Sequence, residues 1–268
     1  MIELVAIDVD DTLINHQLKI AEEDKQAIAQ VRSMGVTVML ATGRMHVSAL
    51  PYAQELNLPS HEVILSYNGA MLRRIDGEVM QHIAVNQDLA LSVIRYCQQR
   101  NWTLNVYYDD GLYVDQIDEN VEYYKKMAQV PASSVGDLAT FIAEGNKSLS
   151  KLLVVGSEQE IDERIDQVKQ DFGQMAQVTR SKARYIEITH PKASKGFTLA
   201  RYAESLGLSA DHVLAIGDSG NDITMLQWAG VGVAMGNAGN AVQKVADYVT
   251  FTNEEAGVAQ ALRRFVLH

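Results

Sequence analysis

The chain has 268 residues, 47% of them apolar, which favours one large or two modest domains and supplies enough hydrophobic material for a sizeable core, so the composition argues against disorder. Its 23 basic and 34 acidic residues give a formal net charge of -11, which argues against a general nucleic-acid or anionic-membrane surface. An anionic small substrate stays possible, because a metal ion and a few local cations can invert the field of a site. The single cysteine, Cys97, excludes an intrachain disulfide and a cysteine metal cluster; with no leader-like segment and no apolar run of membrane length, the expectation is a soluble, cytoplasmic protein without membrane or nucleic-acid partners.

The first stretch, Glu3-Leu4-Val5-Ala6-Ile7-Asp8-Val9-Asp10-Asp11-Thr12-Leu13, is an apolar run that ends abruptly in three carboxylates. The run suits a buried strand of a parallel sheet, which places Asp8 at the carboxyl end, where open α/β sheets bind ligands. On an extended chain Asp8 and Asp10 point the same way. Two carboxylates about 4 Å apart repel by roughly 4 kcal/mol at an effective dielectric near 20, a cost that a bound Mg²⁺ would relieve. A strand followed by an acidic turn accounts for the same residues.

Residues 21–34 read as a helix stopped by Gly35, and 36–41 as a second buried strand ending in Thr42-Gly43-Arg44. Residues 47–56 read as a helix with Pro51 as a first-turn proline. A short strand at 63–66 runs into Tyr67-Asn68-Gly69, and 71–75 with 79–83 flank Asp76-Gly77 as a hairpin. From about residue 85 the texture changes. Helices are expected at 88–100, 118–129 and 158–172, strands at 102–108, 112–115, 152–156, 176–179 and 185–189, and residues 135–146 are mixed. Strand–helix alternation resumes with a helix at 194–206 capped by Ser194, and a strand at 213–216 ending in Gly217-Asp218-Ser219-Gly220-Asn221-Asp222. A helix, a strand at 231–235, a helix at 241–246, a short strand at 248–251 and a closing helix at 254–265 follow. The expected architecture is α/β: a Rossmann-like parallel-sheet core, residues 1–84 plus 189–268, with an inserted α+β domain at 85–188.

If the three strands are parallel neighbours, the turns at Asp8, Thr42 and Asp218 share one edge of the sheet. Asp218 then joins Asp8 and Asp10 in a set of hard oxygen donors suited to Mg²⁺. Thr42 and the Gly43 amide can donate to phosphate oxygens, Lys195 at a helix start adds positive charge, and Asn221 and Asp222 can orient ligands or water.

These four segments resemble the motifs of the haloacid dehalogenase superfamily, and within it the Cof-type sugar-phosphate phosphatases that carry a large α+β cap. Asp8-Val9-Asp10-Asp11-Thr12 is similar to the first motif, Ala41-Thr42-Gly43-Arg44 to the second, Lys195 within 188–196 to the third, and Gly217–Asp222 to the fourth. The motifs occur in order across the whole chain; Asp11 stands where many members have glycine. The resemblance implies a phosphatase of small phosphorylated metabolites. Asp8 would be the nucleophile and Asp10 the acid and base. Mg²⁺ would be held by Asp8, Asp218 and the Asp10 carbonyl, and phosphate by Thr42, Gly43, Lys195 and Asn221, with Asp222 ordering Lys195 or metal-bound water. The insertion would act as a lid. Arg44, Asn68 and Gly69 in the core, and Arg180, Lys182 and Arg184 in the insertion, are the candidates for substrate choice, although the last three also suit a solvated basic turn. A phosphomutase of the same fold, a phospho-accepting receiver-like switch and a sugar-phosphate-binding regulator are the competing readings.

Overall fold

The computed structural model describes residues 1–145 and 147–267; Asn146 and His268, where the expected segments 135–146 and 189–268 end, lie outside the described residues. In chain order the first elements are β1 (Leu4–Ile7), α1 (Glu22–Ser33), β2 (Thr37–Ala41), α2 (His46–Glu55), β3 (Val63–Ser66), β4 (Met71–Arg74) and β5 (Val79–His82). There follow α3 (Gln87–Gln99), β6 (Thr103–Tyr108), β7 (Gly111–Val114), α4 (Glu119–Ala128), β8 (Ser133–Ser134), α5 (Leu138–Ala143), β9 (Leu149–Val155), α6 (Glu158–Phe172), β10 (Gln177–Lys182) and β11 (Tyr185–Thr189). The chain ends with α7 (Lys195–Ser205), β12 (Val213–Gly217), α8 (Ile223–Trp228), β13 (Val231–Ala234), α9 (Asn240–Gln243), β14 (Tyr248–Val249) and α10 (Gly257–Phe265).

The chain divides into two compact units, 1–81 with 194–268, and 82–193. The division falls a few residues outside the expected 84/85 and 188/189. His82 bonds Ser150, Val85 bridges Leu149, and Thr189 still pairs within β11, so these residues belong with the second unit.

The first unit is an eight-stranded sheet among the described residues, ordered β14-β13-β12-β1-β2-β3-β4-β5. The strands from β14 to β3 are parallel, and β3 turns antiparallel into β4. Both faces are apolar, as a parallel sheet between helices requires. Val5, Ile7, Val38, Leu40 and Ile216 pack with α1, α2 and α10, while Leu4, Ala6, Met39, Ala41 and Ala215 pack with α7 and α8. The alternation along β1 thus buries every residue of the strand. The second unit is, among the described residues, a six-stranded, mostly antiparallel sheet ordered β10-β11-β9-β6-β7-β8. One face carries Leu104, Val106, Leu152, Val154, Ile186 and Ile188 and packs on α3 and α6.

Two local expectations are corrected. Pro51 lies inside α2 rather than in its first turn, and the buried Ala49 and Ala53 keep the helix packed through it. The expected closing helix is broken: Asn253–Glu255 makes one tight turn with a Thr252–Glu255 capping box, Ala256 takes φ 53, and α10 starts afresh at Gly257. This second start is capped from outside, because Ala259 N–H donates to the buried Asp24 carboxylate on α1 at 2.7 Å.

Burial pushes the Asp24 carboxyl up to about 6, and the Ala259 bond only partly offsets it. A carboxyl raised on folding favours the protonated state. The stability it lends is therefore complete below about pH 4 and is lost, by roughly 3 kcal/mol, as pH rises through 6. Asp24→Asn is expected to remove this slope and to exceed the parent in stability above pH 6. Urea titrations at pH 4 and pH 7 check it; parallel pH profiles for the two proteins would contradict the assignment.

Candidate active site

β12, β1, β2 and β3 are parallel neighbours, so the loops that follow them leave one edge of the sheet. Asp8 continues the ladder with its N–H on Ile216 O at 2.9 Å. Asp8 (φ -66, ψ 158) and Asp10 (φ -71, ψ 130) keep extended backbone angles, and the chain turns tightly within Val9–Leu13 with Asp11 at φ 56. Asp10 turns its carboxylate to the Arg44 guanidinium, which donates to both oxygens at 2.8 and 2.7 Å.

Beneath Asp8 lies a buried ionic cluster. Lys195, fully buried at the first position of α7, donates to Asp8 Oδ1 at 2.5 Å and to Asp222 Oδ1 at 2.6 Å. Ser194 caps α7 by accepting from Phe197 N–H, which fixes where Lys195 enters. The other oxygen of Asp222 accepts from the Asp218 and Ser219 amides at 3.0 and 2.9 Å, so one carboxylate ties the loop after β12 to the lysine. Asp218 in turn accepts from Thr12 Oγ1 at 3.2 Å. One carboxylate oxygen each from Asp8, Asp218 and Asp222 lies within 4.8 Å of the others.

Three carboxylates against one lysine leave excess negative charge. Burial first, then Asp222 and Asp218, hold the Asp8 carboxyl well above the usual range, with Lys195 opposing them. Burial, then Asp222 and Asp11, push Asp218 up to about 7. Burial alone would lower Lys195, but Asp222 and Asp8 outweigh it and hold the ammonium above an ordinary lysine. Clustered hard oxygens whose charged forms are disfavoured by one another fit a divalent cation. The Asp10 carboxylate stands apart from this group of three.

The loops after β2 and β3 are knitted beside the cluster. Thr42 Oγ1 accepts from Arg44 N–H at 3.0 Å, and Asn68 N–H donates to Thr42 O at 3.1 Å. Tyr67 and Asn68 both take left-handed backbone, φ 53 and φ 57, which is uncommon for non-glycine residues and bends the chain sharply. Asn68 Oδ1 accepts from Asn221 Nδ2 at 2.8 Å. One glycine is required by space and backbone angle, since a Cβ on Gly69, at φ +99, would lie 2.3 Å from Ser194 O; a Cβ on Gly43 would lie 2.7 Å from Asn68 Oδ1 and push that side chain aside. Thr42, Gly43, Arg44, Asn68, Gly69, Lys195 and Asn221 thus converge with the carboxylates in the first unit.

Arg180, Lys182 and Arg184 lie in the second unit. Arg180 is salt-bridged to Asp162 and lies 3.8 Å from Glu158. Arg184 donates to Gly156 O at 2.6 Å and Asn120 Oδ1 at 2.8 Å and stacks over Tyr123 at 3.9 Å; Lys182 is exposed. These contacts account for both arginines within their own unit. Two supporting residues carry no role in the sequence reading. Thr12 holds Asp218, and its signal was the fixed spacing in Asp8-Val9-Asp10-Asp11-Thr12. Asn237 donates to Asp11 O at 2.8 Å and accepts from Asn253 N–H at 3.1 Å, bracing the turn from a distant loop with no local signal.

Comparison with known proteins places this geometry. A family model described as haloacid dehalogenase-like hydrolase matches residues 5–262. The chain is 31% identical over 268 residues to the 5-amino-6-(5-phospho-D-ribitylamino)uracil phosphatase YcsE of Bacillus subtilis (strain 168), covering 99% of this chain and 96% of that one. It is 28% identical to phosphatase YwpJ of the same organism, covering 98% of this chain and all of the other. The crystal structure of TM0651 from Thermotoga maritima superposes with a TM-score of 0.89 at 28% identity, covering 99% and 98% of the two chains. Among the described residues no helix is long and apolar enough to cross a membrane. With its parallel core, its inserted α+β unit and its acidic cluster at the strand ends, the chain belongs to the haloacid dehalogenase-like hydrolases and is a phosphatase of the Cof type.

Proposed function

We propose that this phosphatase hydrolyses monoesters of small phosphorylated metabolites, sugar and sugar-alcohol phosphates first, through an aspartyl-phosphate intermediate with Mg²⁺ as cofactor. The observation that carries the reading is the buried, Lys195-bridged pair Asp8 and Asp222 with the half-buried Asp218 beside it, an anionic set in need of a further cation. Asp8 and Asp218, with the Asp10 carbonyl, are the residues that would hold the metal. When bound, Mg²⁺ supplies charge neutralisation for the phosphoryl group and its nucleophile.

The chain's own residues do the rest. Asp8 attacks phosphorus to form an acyl phosphate, and the bond to the ester oxygen breaks. Asp10, in its protonated form, gives its proton to that leaving oxygen. As a carboxylate it then takes a proton from the water that attacks the phosphoaspartate, so inorganic phosphate leaves and Asp8 is restored. Arg44 donates to both Asp10 oxygens, so proton donation requires Asp10 to leave Arg44. Thr42, the Gly43 amide, Lys195 and Asn221 hold the phosphoryl oxygens. Asp222 positions Lys195 and the loop amides, since both its oxygens are engaged there. The inserted unit is the part of the chain proposed to select the organic group. YcsE's substrate, by its name, carries a phosphorylated ribityl arm, which supports the sugar-alcohol phosphate class. A cytoplasmic setting accords with a single, buried cysteine.

The test is phosphate release from a panel of phosphorylated metabolites, with Mg²⁺ and after chelation by EDTA. Turnover that vanishes on chelation and returns with Mg²⁺ is the expected result. Equal turnover in EDTA would overturn the metal assignment, and no release from any ester would overturn the substrate class.

A further inference from the structure

The turn after Asp8 is tethered from two loops far along the chain. β13 and β14 extend the parallel sheet beyond β12, so the loops after them leave the same edge as the loop after β1. Asn237 follows β13 and Asn253 follows β14. Asn253 is buried; its side-chain amide donates to Ile14 O at 3.0 Å, and its backbone N–H donates to Asn237 Oδ1 at 3.1 Å. Asn237 Nδ2 in turn donates to Asp11 O at 2.8 Å, and Ile14 N–H closes the turn on Val9 O at 3.0 Å. Glu254 adds a third tether: its Oε1 accepts from His16 N–H at 2.9 Å and lies 2.6 Å from His16 Nδ1. All three tethers fall on the loop just after Asp10 and none on a strand of the sheet.

The tethers have their own anchors. A Thr252–Glu255 capping box bounds the tight turn that carries Asn253, Thr250 Oγ1 donates to Gly257 O at 2.8 Å, and Gln243 Nε2 donates to Ala238 O at 2.9 Å beside Asn237. Asp11 needs such a hold, because it carries a side chain at φ 56, ψ 10, a left-handed conformation that costs a non-glycine residue energy. Those two angles relate the Asp11 carbonyl, which Asn237 grips, to the peptide plane of the Asp10 carbonyl just before it.

We propose that Asn253 and Asn237 are positioning residues for Asp10: from the loops after β14 and β13 they hold the turn in the shape from which Asp10 reaches the ester oxygen. The inference rests on the proposed phosphatase reaction, in which Asp10 gives its proton to the leaving group. Neither asparagine takes part in the reaction itself, so their loss is felt through that proton. An alkyl phosphate releases an alkoxide, which departs only when protonated, whereas p-nitrophenolate departs as the anion. A misplaced Asp10 slows the first ester and largely spares the second.

The experiment compares the full-length parent with Asn253→Ala and Asn237→Ala. At saturating Mg²⁺, kcat/KM is measured for p-nitrophenyl phosphate and for the alkyl phosphate that the parent hydrolyses fastest. Hydrogen–deuterium exchange of peptides covering residues 8–16 and melting temperature are read on the same samples. In Asn253→Ala the alkyl ester should lose about tenfold more in kcat/KM than the aryl ester. Exchange within 8–16 should quicken about tenfold, and the melting temperature should fall by about 2–4 °C, the shift of one lost hydrogen bond in a protein of this size. Asn237→Ala, at an exposed position, should show the same pattern on a smaller scale, and it decides the matter if Asn253→Ala does not fold. Equal losses for the two esters overturn the proposal, because general damage to the site does not depend on the leaving group. Unchanged kcat/KM for both esters, or unchanged exchange within 8–16, also overturns it. Quickened exchange throughout the first unit in both variants assigns the asparagines to the fold at large and overturns it too. If the parent hydrolyses no alkyl phosphate, the phosphatase reading fails, and the exchange data still decide whether the asparagines hold the turn.

Discussion

Asp8→Asn is expected to lower kcat for phosphate release by roughly 10⁴- to 10⁶-fold, the scale on which removal of a catalytic nucleophile acts. An amide oxygen carries no charge with which to attack phosphorus, and an acyl phosphate cannot form on it. The substitution keeps the shape of the side chain and one acceptor for Lys195, so the fold should survive. The metal-free protein should even gain stability at neutral pH, because burial and the neighbouring Asp222 and Asp218 already disfavour a charge at this position. Single-turnover assays with a labelled ester, read for both phosphate and phosphoenzyme, check the first point, and thermal melts in EDTA check the second. Near-parental turnover would remove Asp8 from the role of nucleophile. Lost turnover with an unfolded protein would leave the role to be read from Mg²⁺ binding by calorimetry, which should weaken in a folded Asp8→Glu variant as the carboxylate is displaced.

The second large effect belongs to Lys195→Met. Lys195 joins Asp8 and Asp222 in a site that excludes water. Removing one partner of a buried ion pair leaves uncompensated charge and costs about 3–5 kcal/mol. With the ammonium gone, the Asp8 carboxyl must rise further. A carboxyl raised in the folded state contributes stability at low pH that is lost as pH rises, so the deficit of Lys195→Met should be smallest in acid and grow toward neutrality. Denaturant titrations in EDTA at pH 5 and pH 8 provide the measurement. Mg²⁺ should return part of the loss by mass action on the folded state. A variant as stable as the parent at pH 8 without metal would show that the lysine is not what holds the carboxylates together.

The parallel core could be read from the chain because its central strands are apolar on both faces and end in abrupt polar turns. Val5 to Ile7, Val38 to Ala41 and Val213 to Ile216 carry that pattern, and the two-sided burial seen in β1 is its cause. The carboxylate and lysine positions were legible for the same reason: each stands directly after a strand or at a capped helix start. What the chain could not show is which side chains pair across it. The bidentate Arg44–Asp10 contact and the Thr12–Asp218 bond join residues 34 and 206 positions apart, with no periodicity linking them. The turn after Asp8 was one of the two readings that the acidic run allowed, and only the folded chain places its left-handed residue at Asp11. The break at Ala256 escaped because its cause, Asp24 reaching Ala259, lies on another helix. In the second unit Arg180 and Arg184 formed a conspicuous basic cluster, yet their partners are carboxylates, carbonyls and a tyrosine ring.

The strand order β12-β1-β2 has a consequence for how the molecule comes into being. During synthesis β1 and β2 emerge early, but the strand that closes the other side of β1 is made only after residue 212. Between them the ribosome delivers the whole of the 82–193 unit, which needs nothing later in the chain to complete its sheet. The insertion can therefore fold during translation, while β1, apolar on both faces, waits with one edge unpaired. That interval is the most aggregation-prone of the protein's life, and Asp8 remains without Lys195 and Asp222 until it ends. Ribosome-stalled chains ending before and after β12 should accordingly differ sharply in protease resistance of the first 81 residues, and far less in that of the insertion.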